Sequence, residues 1–342
     1  MKNLVTRGEL LRRGGLGLLG IALSVLASGR ALAHDRGKAV RLIPNETTKT
    51  YDFDTDHVAG SIRADGAYHG VSRLVHKASG IQVIDPRYSA LNIFRLFSVN
   101  LGLGTPRHWT REIRATETSV EIRWAATDAH QGTILARYEV REPGDVDLTV
   151  TLESLGTYSG YELLLPSYFD PSMIPHVYLK RRAVGATPPD IDLVVPRFSE
   201  VFRGCSLVFP RDAHTARFPL DGRWNRSEYK MSVAPFFPVR HYGYPFMFVT
   251  DRDKTIAAVM MMRRDDCSAI SSRYYSERIE ERAASYSAMD FLVFGRDVLP
   301  GNVLTARVRL SLTSLDTELS QPLKLHQQFL GETSVTAEKR SE

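Results

Sequence analysis

From Trp109 to Leu152 the chain carries its clearest two-residue hydrophobic period. Val120, Ile122 and Trp124 alternate with Glu121 and Arg123, and Ile134, Ala136, Tyr138 and Val140 alternate with Arg137, Glu139 and Arg141. The run Glu142-Pro143-Gly144-Asp145 turns the chain, after which Val146, Leu148, Val150 and Leu152 take up the same period. Side chains on a strand point to opposite faces in turn, so each run has one core face and one wetter face; a helix would repeat every 3.6 residues instead. The pattern returns near the end of the chain, where Leu304, Ala306, Val308, Leu310 and Leu312 alternate with Thr305, Arg307, Arg309 and Ser311. A chain written this way folds as antiparallel meanders packed face to face.

Turn chemistry divides the rest into further short strands. Val71–Val75 and Ile81–Ile84 are parted by Lys77-Ala78-Ser79-Gly80, a turn at Asp85-Pro86 follows, and Asn92-Ile93-Phe94-Arg95 opens a third run. Phe246–Val249 and Ile256–Met262 read as a hairpin about Asp251–Lys254, with Met260, Met261 and Met262 as core filler. A lead-in strand is expected near Val40–Ile43, and Asp52, Asp54 and Asp56 read as a solvated acidic loop because the Gly and closing Glu of a calcium loop are missing. Residues 158 to 240 are less regular; there Leu163-Leu164-Leu165 breaks into a loop at Pro166, and His176–Leu179 is a further strand. A short helix near Leu319–Leu330 and a polar tail over 331–342 close the chain, which reads as one domain over 34–330.

The first 33 residues stand apart. Lys2, Arg7, Arg12 and Arg13 precede an apolar run over Gly14–Ala27, and Ala31-Leu32-Ala33 offers a small-residue cleavage site before His34. This is the pattern of a secretory signal peptide, and it predicts a periplasmic or secreted protein with no membrane attachment after cleavage. The leader also distorts the charge balance. The full chain holds 44 Lys+Arg and 39 Asp+Glu, but five of the bases and one of the acids lie in the leader, leaving a mature chain near neutrality. Nucleic acid is therefore excluded as an expected partner. Cys205 and Cys267 are the two cysteines, either paired or two separate buried thiols, and no Cys/His spacing suits zinc, so no metal or cofactor is expected. No P-loop, G-x-S-x-G elbow, H-E-x-x-H or dinucleotide fingerprint is present.

Two segments resemble the galactose mutarotase-like (aldose 1-epimerase-like) carbohydrate-binding superfamily: HGVSRLVHKASGIQVIDPRYSALNIFRLF at 69–97 and LVFGRDVLPGNVLTARVRL at 292–310. The resemblance implies an all-β fold, a large antiparallel two-sheet supersandwich with few short helices, and a sugar or oligosaccharide bound in a cleft. It implies that Asn92 and Arg95 contact the substrate, and Arg does offer a donor fork suited to hydroxyls or a carboxylate. The family's acid His precedes a Tyr-Phe pair; here Pro166 and Ser167 precede Tyr168-Phe169, so that acid is missing. His176 and His241 are the alternative proton donors, and Glu277 stands in for a carboxylate base. His108 and Trp109 offer a donor and a stacking face, and Tyr168, Trp224, Arg240 and Tyr242 complete the candidate lining.

Three functions remain open at this point. They are acid–base chemistry at a sugar ring, carbohydrate binding without catalysis, and polysaccharide cleavage by a lyase or hydrolase on the same scaffold. The oligomeric state is not readable.

Overall fold

The computed structural model describes residues 37–99, 101–181, 190–196, 205–225, 232–235, 239–274 and 287–338. The leader and Glu277 lie outside these described residues. The fold is built almost wholly of antiparallel strands. A five-stranded sheet runs in chain order through β1 (Ile43–Asn45), β2 (Thr50–Asp54), β3 (Val58–Arg63), β4 (Gly70–His76) and β5 (Ile81–Gln82).

A seven-stranded sheet follows the order β16 (Ser232–Pro235), β15 (Cys205–Pro210), β19 (Cys267–Tyr274), β20 (Ser287–Val298), β12 (Tyr158–Phe169), β6 (Arg95–Ser98) and β7 (Leu101–Gly104). A nine-stranded sheet follows the order β14 (Ile191–Val194), β13 (Ile174–Lys180), β17 (Tyr242–Thr250), β18 (Ile256–Met262), β21 (Val303–Ser314), β11 (Asp145–Ser154), β10 (Gly132–Arg141), β9 (Ser119–Trp124) and β8 (Glu112–Ala115).

The alternating residues explain the layers. Ile122, Trp124, Tyr138, Leu148, Met260 and Val308 on the inner face of the nine-stranded sheet share one buried cluster with Leu96, Phe209, Leu163, Leu165, Phe291 and Val293 of the seven-stranded sheet. Phe53, Val58, Ile62 and Leu74 of the five-stranded sheet join the same cluster. This is the all-β sandwich that period-2 patterning predicts. The meander over β9, β10 and β11 keeps continuous register, with Tyr138 opposite both Val120 and Leu148.

Two faces point away from that common core. On the nine-stranded sheet, Phe246, Phe248, Val259 and Met261 meet Phe329 of α1 (Gln321–Glu338). On the seven-stranded sheet, Phe94, Phe97, Leu164, Leu292 and Trp224 form a separate buried cluster.

Several local expectations are corrected. Val40 is not in a strand: Ala39 makes one bridge to Arg141 and the strand begins at Ile43, because the backbone N–H groups of Val40 and Leu42 turn to different partners, Val140 and Glu117. Asp52 and Asp54 lie on β2 rather than in a loop, with Asp52 accepting hydrogen bonds from Asn45, Thr50 and Ser61. β12 does not break at Pro166 but continues to Phe169. The carbonyls of Leu164 and Pro166 accept from the N–H groups of Phe94 and Asn92, so the missing proline N–H faces the segment ahead of β6, where no ladder asks for a donor. The terminal helix runs beyond Leu330 to Glu338, since Glu332 is drawn onto the sheet by Arg307 and Arg309. Cys205 and Cys267 are separate thiols, held toward opposite ends of β15 and β19. Burial pushes the Cys267 thiol up to about 12.

Candidate functional site

The β3–β4 connection and the segment after β7 meet at one open pocket of about 500 Å³, lined by Asp65, Arg107, His108, Trp109, Thr110 and Arg111 among others. Each side is held from behind. Asp65 Oδ1 accepts the N–H of Gly66, whose φ of +80° suits glycine in this tight turn. Asn92 is fully buried; its amide nitrogen donates to the carbonyls of Ala67 at 3.2 Å and His69 at 3.0 Å. His69, also fully buried, accepts the Ile93 N–H at Nε2 (3.0 Å). Burial, reinforced by the charge of Arg111, keeps its imidazole well below the usual histidine range, so it is neutral.

Arg111 ties the two sides together. It donates through Nη1 to the Gly66 carbonyl at 3.0 Å and through Nη2 to the Arg107 carbonyl at 2.6 Å, while its guanidinium lies 5.6 Å from the Trp124 ring. Trp109 is seated over Gly104, where a Cβ would come within 2.5 Å of the indole and the φ of +113° is one that side-chain-bearing residues rarely adopt. Its other neighbour is the buried His130, 5.9 Å away, which stacks on Tyr158 and meets the Tyr161 hydroxyl at 3.1 Å. Burial pushes the His130 imidazole down to about 4, so this support is uncharged. Trp109 is half-buried and His108 exposed, so both can meet a ligand.

Beyond Arg107 lies an aromatic surface. The Arg107 guanidinium stands 3.9 Å from the Phe94 ring centre and 5.5 Å from that of Tyr68. Tyr68, Tyr88 and Tyr168 form a triangle with ring separations of 4.9, 4.8 and 6.0 Å. Tyr68 and Tyr88 are half-buried, whereas Tyr168 is buried.

The sequence-expected residues fall into distinct places. His108 and Trp109 share the pocket, and Tyr168 belongs to the adjoining tyrosines. Asn92 supports the pocket wall with its amide nitrogen. Arg95 lies on the seven-stranded sheet's outer face, 1% exposed, between Phe94 and Phe97, and Trp224 is buried against Phe97 on the same face.

His176 is on the far side of the sandwich. Its neighbour Val177 faces the common core, so the His176 ring turns outward and stacks on Phe248 at 4.7 Å; its Nδ1 meets the Ile174 carbonyl, and burial pushes it down to about 4. The Tyr242 hydroxyl donates inward to the Cys267 carbonyl. Arg240 is spent on Asp192 and the carbonyls of Leu179 and Lys180, with His241 beside it at the sheet margin near Lys180, Asp212 and Arg264. The structure therefore does not gather Arg95, His176 and His241 into one hollow.

Sequence reading missed Asp65, Arg107 and Arg111, which carry no motif and are brought together by tertiary folding. It also missed Asp290, buried on the outer face of the seven-stranded sheet with Ser271 donating to it and Arg273 nearby; burial raises its carboxyl above the usual range, and Arg273 opposes the shift. Among the described residues there is no group of three or more metal-ligating side chains.

Fold and site together define a large antiparallel β-sandwich with an aromatic, basic pocket at its margin. The chain is similar in arrangement to a putative aldose 1-epimerase from Escherichia coli K12 (7% identity over 78% of this chain and 99% of that one, TM-score 0.47). It is also similar to an aldose epimerase homologue from C. elegans (9%, 82% and 100%, TM-score 0.43) and to an α-N-acetylgalactosaminidase from Bifidobacterium bifidum (12%, 82% and 39%, TM-score 0.47). Similarity at this level describes a strand arrangement and transfers no reaction or substrate. No protein-family model matches the sequence, and no curated protein matches it.

Proposed function

We propose that this chain is an exported carbohydrate-binding protein that holds a sugar in the Asp65–Trp109 pocket. The carrying observation is the company kept there: an indole face, an exposed imidazole, two guanidinium groups and a carboxylate line one open pocket. An apolar sugar face buries well against an indole, and the surrounding donors and acceptors match ring hydroxyls. Export rests on the leader pattern over residues 1–33, and the resemblance at 69–97 and 292–310 supports a sugar as the ligand class.

A second reading is supported by Asp65 and His108, a carboxylate and an imidazole in the same pocket, the residue types that acid–base chemistry at an anomeric centre requires. A sugar-array screen on the chain from His34 onward tests binding, and polarimetry on the hits tests mutarotation. Trp109→Ala is expected to weaken the hits roughly tenfold or more in Kd, about 1.4 kcal/mol. An array without hits, or unchanged binding in that variant, removes the pocket as a sugar site.

A further inference from the structure

We propose that the pocket is one end of a longer groove, and that its ligand is an oligosaccharide bearing carboxylates, with a second sugar unit resting on Tyr68 and Tyr88. The inference rests on the sugar-binding reading of the pocket and goes on to name the kind of sugar.

Arg107 makes the groove continuous. It lines the pocket and its guanidinium also stands 5.5 Å from the Tyr68 ring, whose other neighbour, Tyr88, is 4.9 Å further on. Tyr68 and Tyr88 stay half-exposed although three tyrosine rings meet there, whereas Tyr168, the third, is buried beneath the group. A sugar in contact with Trp109 is thus flanked by Arg107 and then by two further rings, and each added unit gains aromatic area.

Charge selects the class. Arg107 and Arg111 line the pocket against Asp65 alone, and Arg63 donates to the Tyr68 carbonyl on the side toward the tyrosines. At the far end Asp85 is buried and already bound by Arg87 Nε (3.0 Å) and Nη2 (2.6 Å), so it offers no repulsion to an anion. Arg111 holds the walls, whereas the half-buried Arg107 guanidinium between pocket and tyrosines is a planar fork that matches a carboxylate in geometry as well as charge.

The test uses galacturonate and oligogalacturonates of two to six units as probes for the chain from His34 onward, with neutral galacto-oligosaccharides of equal length as controls, read by calorimetry. Affinity is expected to rise at least tenfold from one unit to three. Tyr88→Ala and Tyr68→Ala should abolish that gain, Tyr88→Phe should keep it, and Trp109→Ala should weaken every length. Affinity that is flat with length overturns the groove. Equal affinity for neutral oligomers of the same length, or no binding of the uronates while neutral sugars bind, overturns the acidic class but leaves the pocket standing. Failure of every sugar, acidic or neutral, sinks the sugar-binding reading itself.

Discussion

At the scale of single residues, several polar side chains that looked suited to a ligand are committed to the protein itself. Asn92 is the clearest case. Its amide holds two carbonyls of the β3–β4 connection, and with His69 it sets the wall behind Asp65 and Gly66. Asn92→Ala takes the donor from the part-buried Ala67 carbonyl and leaves the His69 carbonyl with Ser89 alone, which costs about 1 kcal/mol. A lowered thermal midpoint accompanied by weaker sugar binding would show that the wall positions the pocket; a neutral midpoint would show that it does not. Arg95 was legible as a conspicuous cation at the start of a strand, but alternation along β6 cannot say which of two faces is wet. Leu96 takes the common core, Arg95 the opposite face, and that opposite face is itself buried. Trp109, read as a stacking face beside His108, does share the pocket with it, although the seat over Gly104 that holds the indole there carries no sequence signal.

At the scale of elements, the strands were readable because their signal is local. The β9–β10–β11 meander, the β17–β18 hairpin and β21 all stand where alternation and turn residues put them. The terminal helix was readable in kind but not in length. Leu323, Leu325 and Leu330 pack with Phe329 on the outer face of the nine-stranded sheet, but the reach past Leu330 depends on a contact that no periodicity encodes. Arg309, 5% exposed, donates to Glu332 through Nη1 at 2.9 Å and Nη2 at 2.8 Å while its Nε holds Asp147 at 2.8 Å. Glu332→Ala removes the helix's side of this buried group while Asp145 and Asp147 still hold Arg309, and is expected to cost about 1–3 kcal/mol. The variant should also expose Phe246 and Phe248 to a hydrophobic dye as the helix end loosens; unaltered denaturant midpoint and dye binding would show that apolar packing alone holds the helix.

At the scale of the whole molecule, buried histidines couple stability to pH. His130 lies beside Tyr158 and Tyr161, while His176 and His326 meet Phe248 and Phe246 on the outer face of the nine-stranded sheet, and burial pushes each down to about 4 from an ordinary value of 6.5. The unfolded chain takes up these protons first as pH falls, so stability is full above about 6.5 and is lost progressively toward pH 4. Each histidine contributes on the order of 2–3 kcal/mol to that loss. A thermal midpoint that drops steeply between pH 6.5 and 4, with a shallower slope in His176→Phe, is the expected result; a flat profile would mean that these imidazoles reach solvent. The strand inventory and the all-β class were contained in the chain itself, because side-chain alternation and turn residues act between near neighbours. Which sheet each face meets came only from folding. So did the burial of Arg95, the seat of His176 against Phe248, and the meeting of Asp65 with Arg107, Trp109 and Arg111, because each depends on residues brought together from distant strands.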